Sequence, residues 1–436
     1  MIKYNTLKNK NIYDVIGIGI GPFNLGLAAL LEPVNEISAL FLDQSEGFDW
    51  HPGLMLDNAT LQVPFMADLV TMADPKSRFS FLNFLKETNR LYKFFIREDF
   101  FVLRKEYNVY CKWVVNQLPN CLFNQYVETI VFDEVNAIYQ IKVLNKHTQK
   151  EEIHWAKKLV LGTGIQPHFP DFMKEKKYPN VIHTSDYLKH KSTILNSKSV
   201  SIIGSGQSAA EIFQDLLPES QNGLYMSWFT RPDRFFPMEY SKLTLELTSP
   251  EYVDYFYQMS PEKRKVTLGK QPPLYKGINF DLINGIFDSM YEMSVDDTPL
   301  NIQLRPNCQL DDIHKKEDDS NYALAFTQVQ KELPFTHQSD FVILATGYKY
   351  KTPAFIEGIK NRINRTDDGL YDVTRNYSID KNEEEIFIQN GELHTHGFVT
   401  PDLGMGAYRN AIIINAIAKK EVYKVESRIA FQQFDL

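Results

Sequence analysis

Two glycine-rich hexapeptides hold the residues of this sequence best suited to chemistry. Gly17-Ile18-Gly19-Ile20-Gly21-Pro22 and Gly204-Ser205-Gly206-Gln207-Ser208-Ala209 share one spacing. In each, the first glycine permits a tight turn and the second lets the backbone approach a pyrophosphate. The third position is Pro22 in one turn and Ala209 in the other. Proline is tolerated near the start of a helix, where its missing N–H would have no partner anyway. A pyrophosphate cradled this way rests on the N-terminus of the next helix, where free N–H groups and the macrodipole favour negative charge. Asp43, about 20 residues beyond the first turn, is placed to bond a ribose hydroxyl. Arg231 stands at the matching point after the second turn and suits a 2′-phosphate.

One nicotinamide site suffices for a dehydrogenase, so two sites imply that one cofactor reduces another. The economical assignment is FAD at the N-terminal turn and NADPH at the second.

The surrounding elements must hold these turns in place. YDVIG (13–17) is a short apolar run ending on glycine, as a buried parallel strand does. FNLGLAALLEP has helical spacing and stops at Pro33, and ISALFLD (37–43) is a second apolar run ending in an acid. SVSIIG (199–204), AAEIFQDLL and LYMSWFTRP (224–232) repeat that order downstream. KLVLGTG (158–164) and DFVILATGY (340–348) read as strands whose glycine turns carry the chain between two domains. The expected architecture is α/β, with two Rossmann-like dinucleotide-binding domains. Residues 1–165 and 340–436 form a discontinuous FAD domain. Residues 195–235, with flanking strands to about 339, form the NADPH domain. The stretch 236–300, rich in Tyr, Phe, Pro and charge, forms a helical, substrate-facing insertion.

Bulk properties agree with such a protein and exclude others. At 436 residues the chain is too long for one growing core. A net charge of −8 argues against a nucleic-acid surface, and no run approaches the ~20 apolar residues of a membrane span. Three cysteines without CxxC spacing argue against a disulfide framework and a zinc site; no metal is expected. The polar start, Met1 to Lys10, lacks a signal-peptide core, so a cytoplasmic compartment is expected. The segment HKKEDDS (314–320) reads as a solvated hairpin tip.

Longer segments carry a family resemblance. DVIGIGIGPFNLGLAAL, FDWHPGLML, LQVPFMADLVTMADPKSRFSFLNFL, LGTGIQP, IHTSDY, IGSGQSAAEIF, ATGY and THGFVTPDL run in order from residue 14 to about 415. In these the chain resembles the N-hydroxylating flavin monooxygenases of siderophore biosynthesis, the lysine and ornithine N-hydroxylases and their diamine relatives. The resemblance implies that NADPH reduces FAD, that O2 adds to the reduced flavin at C4a, and that an unprotonated amine takes the distal oxygen. The flavin then carries the chemistry, and no side chain serves as a covalent or acid–base catalyst. Trp50, His51 and Gln62 match positions along the flavin, with core packing or strand exposure as the bland alternatives. Thr346, Gly347, Asp402 and Leu403 complete the FAD set, and Tyr348 joins Gly204, Ser205, Gly206, Gln207, Ser208 and Arg231 for NADPH. His183 matches a shared histidine between the sites, though a lone histidine is more often structural. The resemblance also implies a homotetramer.

One departure bears on the substrate. The amino-acid hydroxylases carry a lysine, which holds the substrate's α-carboxylate, where this chain has Ala67. By the same resemblance, the ornithine enzymes' carboxylate-contacting asparagine falls near Leu245, and a serine of their C-terminal loop falls at Gly404. An unpaired carboxylate buried there would cost several kcal/mol. The expected substrate is therefore a small primary amine without a carboxylate, putrescine or cadaverine, with histamine as rival. Lys76, Arg78 and Lys276 are the cations that could replace the lost lysine and restore an amino acid. The distal amine of a diamine needs acids or carbonyls, and Asp68, Glu239, Glu246 and Asp402 are the acids nearby in sequence. The loop Tyr275–Asn279, with Lys276 and Asn279, borders the same pocket. A flavin or disulfide reductase would need a redox-active cysteine pair, which is absent, and a non-catalytic module would show eroded glycine turns. A carbon- or sulfur-oxygenating relative is the remaining alternative.

Overall fold

The computed structural model describes residues 11–295, 299–315 and 321–436; Met1 to Lys10 and most of the charged stretch 314–320 lie outside the described residues. Two parallel sheet regions hold the two glycine turns. The first sheet centres on Ile12–Ile18, which pairs in parallel with Ala39–Leu42 on one side and with Lys150–Leu161 on the other. Lys150–Leu161 is long enough for two tasks. Its first half closes an antiparallel meander with Ile138–Asn145 and Gln125–Asp133, and its second half runs beside Ile12–Ile18 and accepts Ile386–Ile388. The parallel-paired ends, Val15–Ile18 and Leu159–Leu161, are apolar and largely buried because both faces are covered there.

The second sheet is parallel throughout, in the order Val181–His183, Phe341–Leu344, Ser199–Ile203, Tyr225–Phe229, Ile302–Arg305. An antiparallel meander, Cys308–Lys315, Tyr322–Gln328 and Leu333–Ser339, is appended to it. The two crossings between sheets run side by side, joined by the antiparallel pair Ile165–Pro167 and Tyr348–Tyr350.

The sheet memberships differ in detail from the boundaries expected above. Phe341–Leu344 bonds into the second sheet, so the chain recrosses at the turn Ala345–Gly347 rather than at 340. Val181–His183 joins the second sheet ahead of 195. All four residues of Phe341–Leu344 are buried, and such a strand must be paired within one sheet, which leaves the turn after it as the crossing. Arg231 falls two residues past the end of Tyr225–Phe229.

The stretch 236–300 folds into the helices Lys242–Leu245, Pro250–Gln258, Pro261–Lys270, Pro272–Tyr275 and Phe280–Met293. Ser249 and Ser260 cap their helices by accepting from Tyr252 N and Lys263 N, each ahead of a proline at the first helical position. Tyr252, Val253 and Phe256 bury their side chains with Phe398, Val399, Met405 and Tyr408, which seats this insertion on the C-terminal loop. Cys111, Cys121 and Cys308 are buried free thiols, and no helix among the described residues is long and apolar enough to cross a membrane.

Candidate functional site

The first glycine turn is locked to its sheet. Gly19 has φ +90°, and a Cβ there would lie 2.3 Å from Gly162 O, so only glycine fits. Asn24 Nδ2 donates to Gly19 O at 2.8 Å, and Gln389 Nε2 donates to Asn24 Oδ1 at 2.7 Å. Asp43 Oδ2 accepts from Ile20 N at 2.6 Å, while Oδ1 accepts from Ser45 N and Ser45 Oγ. The carboxylate therefore braces the turn itself, and a ribose hydroxyl would share its remaining lone pairs. At Gly21 an added Cβ meets nothing within 4 Å, and Pro22 opens the helix Pro22–Leu31, whose first turn carries no acid. An open backbone cradle at an acid-free helix N-terminus fits a pyrophosphate. Pro22, Phe23, Leu403 and Gly406 line one small cleft there.

The second turn shares the strain and is braced in its own way, with Trp228 Nε1 donating to Gly204 O at 2.7 Å. Gly204 has φ +149°, and a Cβ on it would lie 2.3 Å from Ala345 O. A Cβ on Gly206 would meet only Lys276 O, at 3.4 Å. Ser205 and Ser208 are half-buried, and Gln207 starts the helix Gln207–Leu216, again without an acid in its first turn. Arg231 is exposed and has no ion pair among the described residues. Thr346 Oγ1 donates to His168 O, and Gly347 has φ +76°.

Between the turns the structure brings together residues from distant segments. Gln62, on the strand Thr60–Pro64, donates to Gln207 Oε1 at 3.2 Å, and Asn279 N donates to the same oxygen at 2.8 Å. Gln207 Nε2 donates to Glu211, which Arg104 grips in a two-pronged ion pair at 2.8 and 2.5 Å. This chain ties Gln62 and Arg104 of the first lobe to the helix opening the second. Trp50 lies edge-on to His51 at 4.8 Å and to Tyr107 at 5.3 Å, and Trp50 N donates to Asn108 Oδ1. His51 has φ 51° and stands open to solvent at the rim; the protein packed around it and then the Arg104 charge hold its pKa down, to about 4, so its ring is neutral. Tyr348 stands between His51 and His183, with ring centroids 6.0 and 4.9 Å away. His183 is buried; its Nδ1 accepts from Ser185 N, which leaves Nε2 to donate to Gly347 O at 2.9 Å. Both nitrogens are spent on the crossing, which makes this histidine structural.

Of the expected substrate-pocket positions, Ala67 and Gly404 lie face to face. Ala67 is 7% exposed, and a Cβ on Gly404 would sit 3.8 Å from Ala67 Cβ. Leu245 is 47% exposed on its short helix, while nearby Leu247 packs into the cluster that contains Met405. Lys276 falls elsewhere: its carbonyl abuts Gly206 and its Nζ lies over the Tyr275 ring. Arg78 pairs with Glu32 on the surface and stacks on Phe79, and Lys76 lies in the same exposed turn. Lys76 and Arg78 thus face solvent rather than Ala67. The side chain of Asn279 caps the helix Phe280–Met293 by accepting from Asp281 N and Leu282 N.

Several residues of the site had no local signal in the sequence. Arg104 and Glu211 are one example. Arg409 and Glu392 are another, a fully enclosed ion pair in which Arg409 also donates to Thr400 O and stacks over Phe23. Charged residues read as solvated in one dimension, and only the glutamate in AAEIF, on the inner face of a periodic helix, hinted at burial.

The fold and paired cradles are those of a flavoprotein that also takes a nicotinamide dinucleotide. The chain belongs to the L-lysine 6-monooxygenase/L-ornithine 5-monooxygenase family, whose model matches residues 11–350. It is 47% identical to the putrescine N-hydroxylase of Acinetobacter baumannii, covering 98% of this chain and 95% of that one. It is 48% identical to the putrescine N-hydroxylase of Shewanella oneidensis, covering 98% and 85%. Among solved structures it resembles the FAD-bound cadaverine monooxygenase of desferrioxamine biosynthesis from Erwinia amylovora. That match has a TM-score of 0.95 and 46% identity, covering 98% of this chain and 99% of that one.

Proposed function

We propose that the protein uses FAD, NADPH and O2 to hydroxylate the nitrogen of a small primary amine lacking an α-carboxylate, a diamine of the putrescine or cadaverine type. The observation that carries the substrate class is the wall made by Ala67 and Gly404. Both positions are small and uncharged, and among the described residues the nearest atoms to a Cβ at Gly404 belong to Asp402 and Ala67, not to a lysine or arginine. The relatives named above act on putrescine or cadaverine, in keeping with that wall. An N-hydroxylated diamine is the kind of unit from which hydroxamate siderophores are built.

The turn Gly17–Pro22 with Asp43 would hold FAD, with Trp50, His51, Gln62, Thr346, Gly347, Asp402 and Leu403 along it. The turn Gly204–Ser208 with Arg231 and Tyr348 would hold NADPH. Bound flavin supplies the activation of oxygen. The protein's part is to orient and to exclude water. The Gln62–Gln207–Asn279 junction holds the two cradles in register, and the neutral ring of His51 keeps a positive charge away from an incoming cationic amine. The helix Leu91–Arg97 presents Tyr92, Phe95 and Ile96 at 78, 74 and 72% exposure, a face suited to subunit contact in a homotetramer. A cytoplasmic setting would supply the NADPH.

The test is to reconstitute the protein with FAD and follow NADPH oxidation together with hydroxylamine formation. Putrescine, cadaverine, histamine, L-ornithine and L-lysine are compared. The diamines are expected to give the fastest and best-coupled turnover. Faster hydroxylation of either amino acid overturns the assignment.

A further inference from the structure

A diamine enters with two cationic ends, and only one is hydroxylated. The other needs a partner, and four acids stand near the site in sequence. Asp68 is fully occupied: its two oxygens accept from Val70 N, Thr71 N, Thr71 Oγ1 and Phe81 N. Glu246 is taken by the C-terminal tail, through Phe431 N, Gln432 N and Gln432 Nε2. Glu239 is exposed and accepts from Thr244 Oγ1.

Asp402 differs from all three. Its Oδ1 accepts one hydrogen bond, from Gly404 N at 2.7 Å, and no cation pairs with it among the described residues. The nearest guanidinium to act on it, Arg409, is already neutralised by Glu392 and donates to Thr400 O. Burial raises the carboxyl above its ordinary value, the mark of an anion short of a partner. Oδ1 lies 3.2 Å from where a Cβ on Gly404 would stand, and that same point is 3.8 Å from Ala67 Cβ. The uncompensated carboxylate thus lies beside Ala67, the position of the lost lysine charge, and Gly404. Capping the turn Leu403–Met405 does not require the charge, since asparagine and serine cap as well as aspartate.

We propose that the carboxylate of Asp402 binds the distal ammonium of the diamine substrate beside Ala67 and Gly404. The proposal rests on the diamine reading above and names the group that selects a second cation. The site is then charge-inverted relative to an amino-acid pocket: the protein supplies the anion and the substrate the cation. It explains why small neutral residues at 67 and 404 suffice, because a lysine at 67 would compete for the same carboxylate.

The experiment compares cadaverine with 1-aminopentane, which keeps the reacting amine and lacks the distal charge. The ratio of their kcat/KM values is measured for the FAD-loaded wild type and for Asp402→Asn, which retains the cap. Any change in flavin occupancy acts on both amines alike and cancels in the ratio. Loss of a buried charge partner is expected to lower the ratio by about 30-fold or more. A fall below tenfold overturns the proposal. Asp402→Glu keeps the charge but extends it by one methylene into the pocket. It is expected to shift preference from cadaverine towards putrescine by several-fold, and an unchanged preference counts against Asp402. If the wild type hydroxylates neither diamine, the proposed function itself fails, a result distinct from a ratio that survives Asp402→Asn.

Discussion

The two glycine turns have the same spacing but are embedded differently. Asp43 and Asn24 hold the first turn through Ile20 N and Gly19 O, Gln389 braces Asn24, and Leu403 and Gly406 close over the helix start. The second is held by Trp228 Nε1 on Gly204 O and by Gln62 and Asn279 on Gln207, but Arg231 beyond it stands exposed and Ser205 and Ser208 are half covered. A cradle closed over at its helix start suits a cofactor that stays. An open one suits a dinucleotide that arrives, gives up its hydride and leaves. On the function proposed above, the same local motif becomes a resident or an exchanging site through what surrounds it.

The largest contrast is expected from alanine at the second glycine of each turn. Gly19→Ala forces a side chain into positive φ and onto Gly162 O, and should cost about 3 kcal/mol or more. Most of the protein is expected to lose retained flavin, measured by absorbance and thermal unfolding. Gly206→Ala meets only a 3.4 Å contact and should fold and retain flavin like the wild type, with a raised KM for NADPH. Equal loss of flavin in both variants would break the comparison.

A smaller effect is expected at Arg231, where Arg231→Ala removes a charge from the exposed end of the second site. The kcat/KM preference for NADPH over NADH should fall about 10- to 100-fold, the worth of one charge-assisted phosphate contact. An unchanged preference would place the 2′-phosphate elsewhere.

A further effect is set by pH at buried histidines in different parts of the fold. Burial lowers the pKa values of His183, His337 and His396, His337 to about 4. These rings are neutral in the native protein, whereas the unfolded chain titrates near 6.5, so unfolding takes up protons below that value. Their contribution is complete above pH 6.5 and is lost as pH falls below it, by at most about 1.4 kcal/mol per pH unit for each. Urea midpoints measured from pH 7.5 to 5 should fall, and His183→Gln should flatten the slope. A midpoint that holds steady across that range would refute it.

The sequence alone determined both strand–turn–helix units, the helical character of 236–300 and the family. These are local properties: a glycine at fixed spacing sets its own backbone, and an apolar run reports its own burial. Ala67 was legible only as a missing charge, and Gly404 as a softer match. Their facing each other across 3.8 Å was decided by the tertiary structure. The same holds for Gln62 on Gln207, for Arg104 on Glu211, and for Arg409 on Glu392, whose charges read as solvent-facing until the fold enclosed them. The glycine turn at Ala345–Gly347 was legible as the crossing, but the place of Phe341–Leu344 in the second sheet, ahead of it, followed from strand pairing, which no single strand encodes. Asp402 was one acid among four in the sequence. Only the fold occupied the other three or left them in solvent, because hydrogen-bond partners and counter-ions are assigned by long-range packing, not by spacing along the chain.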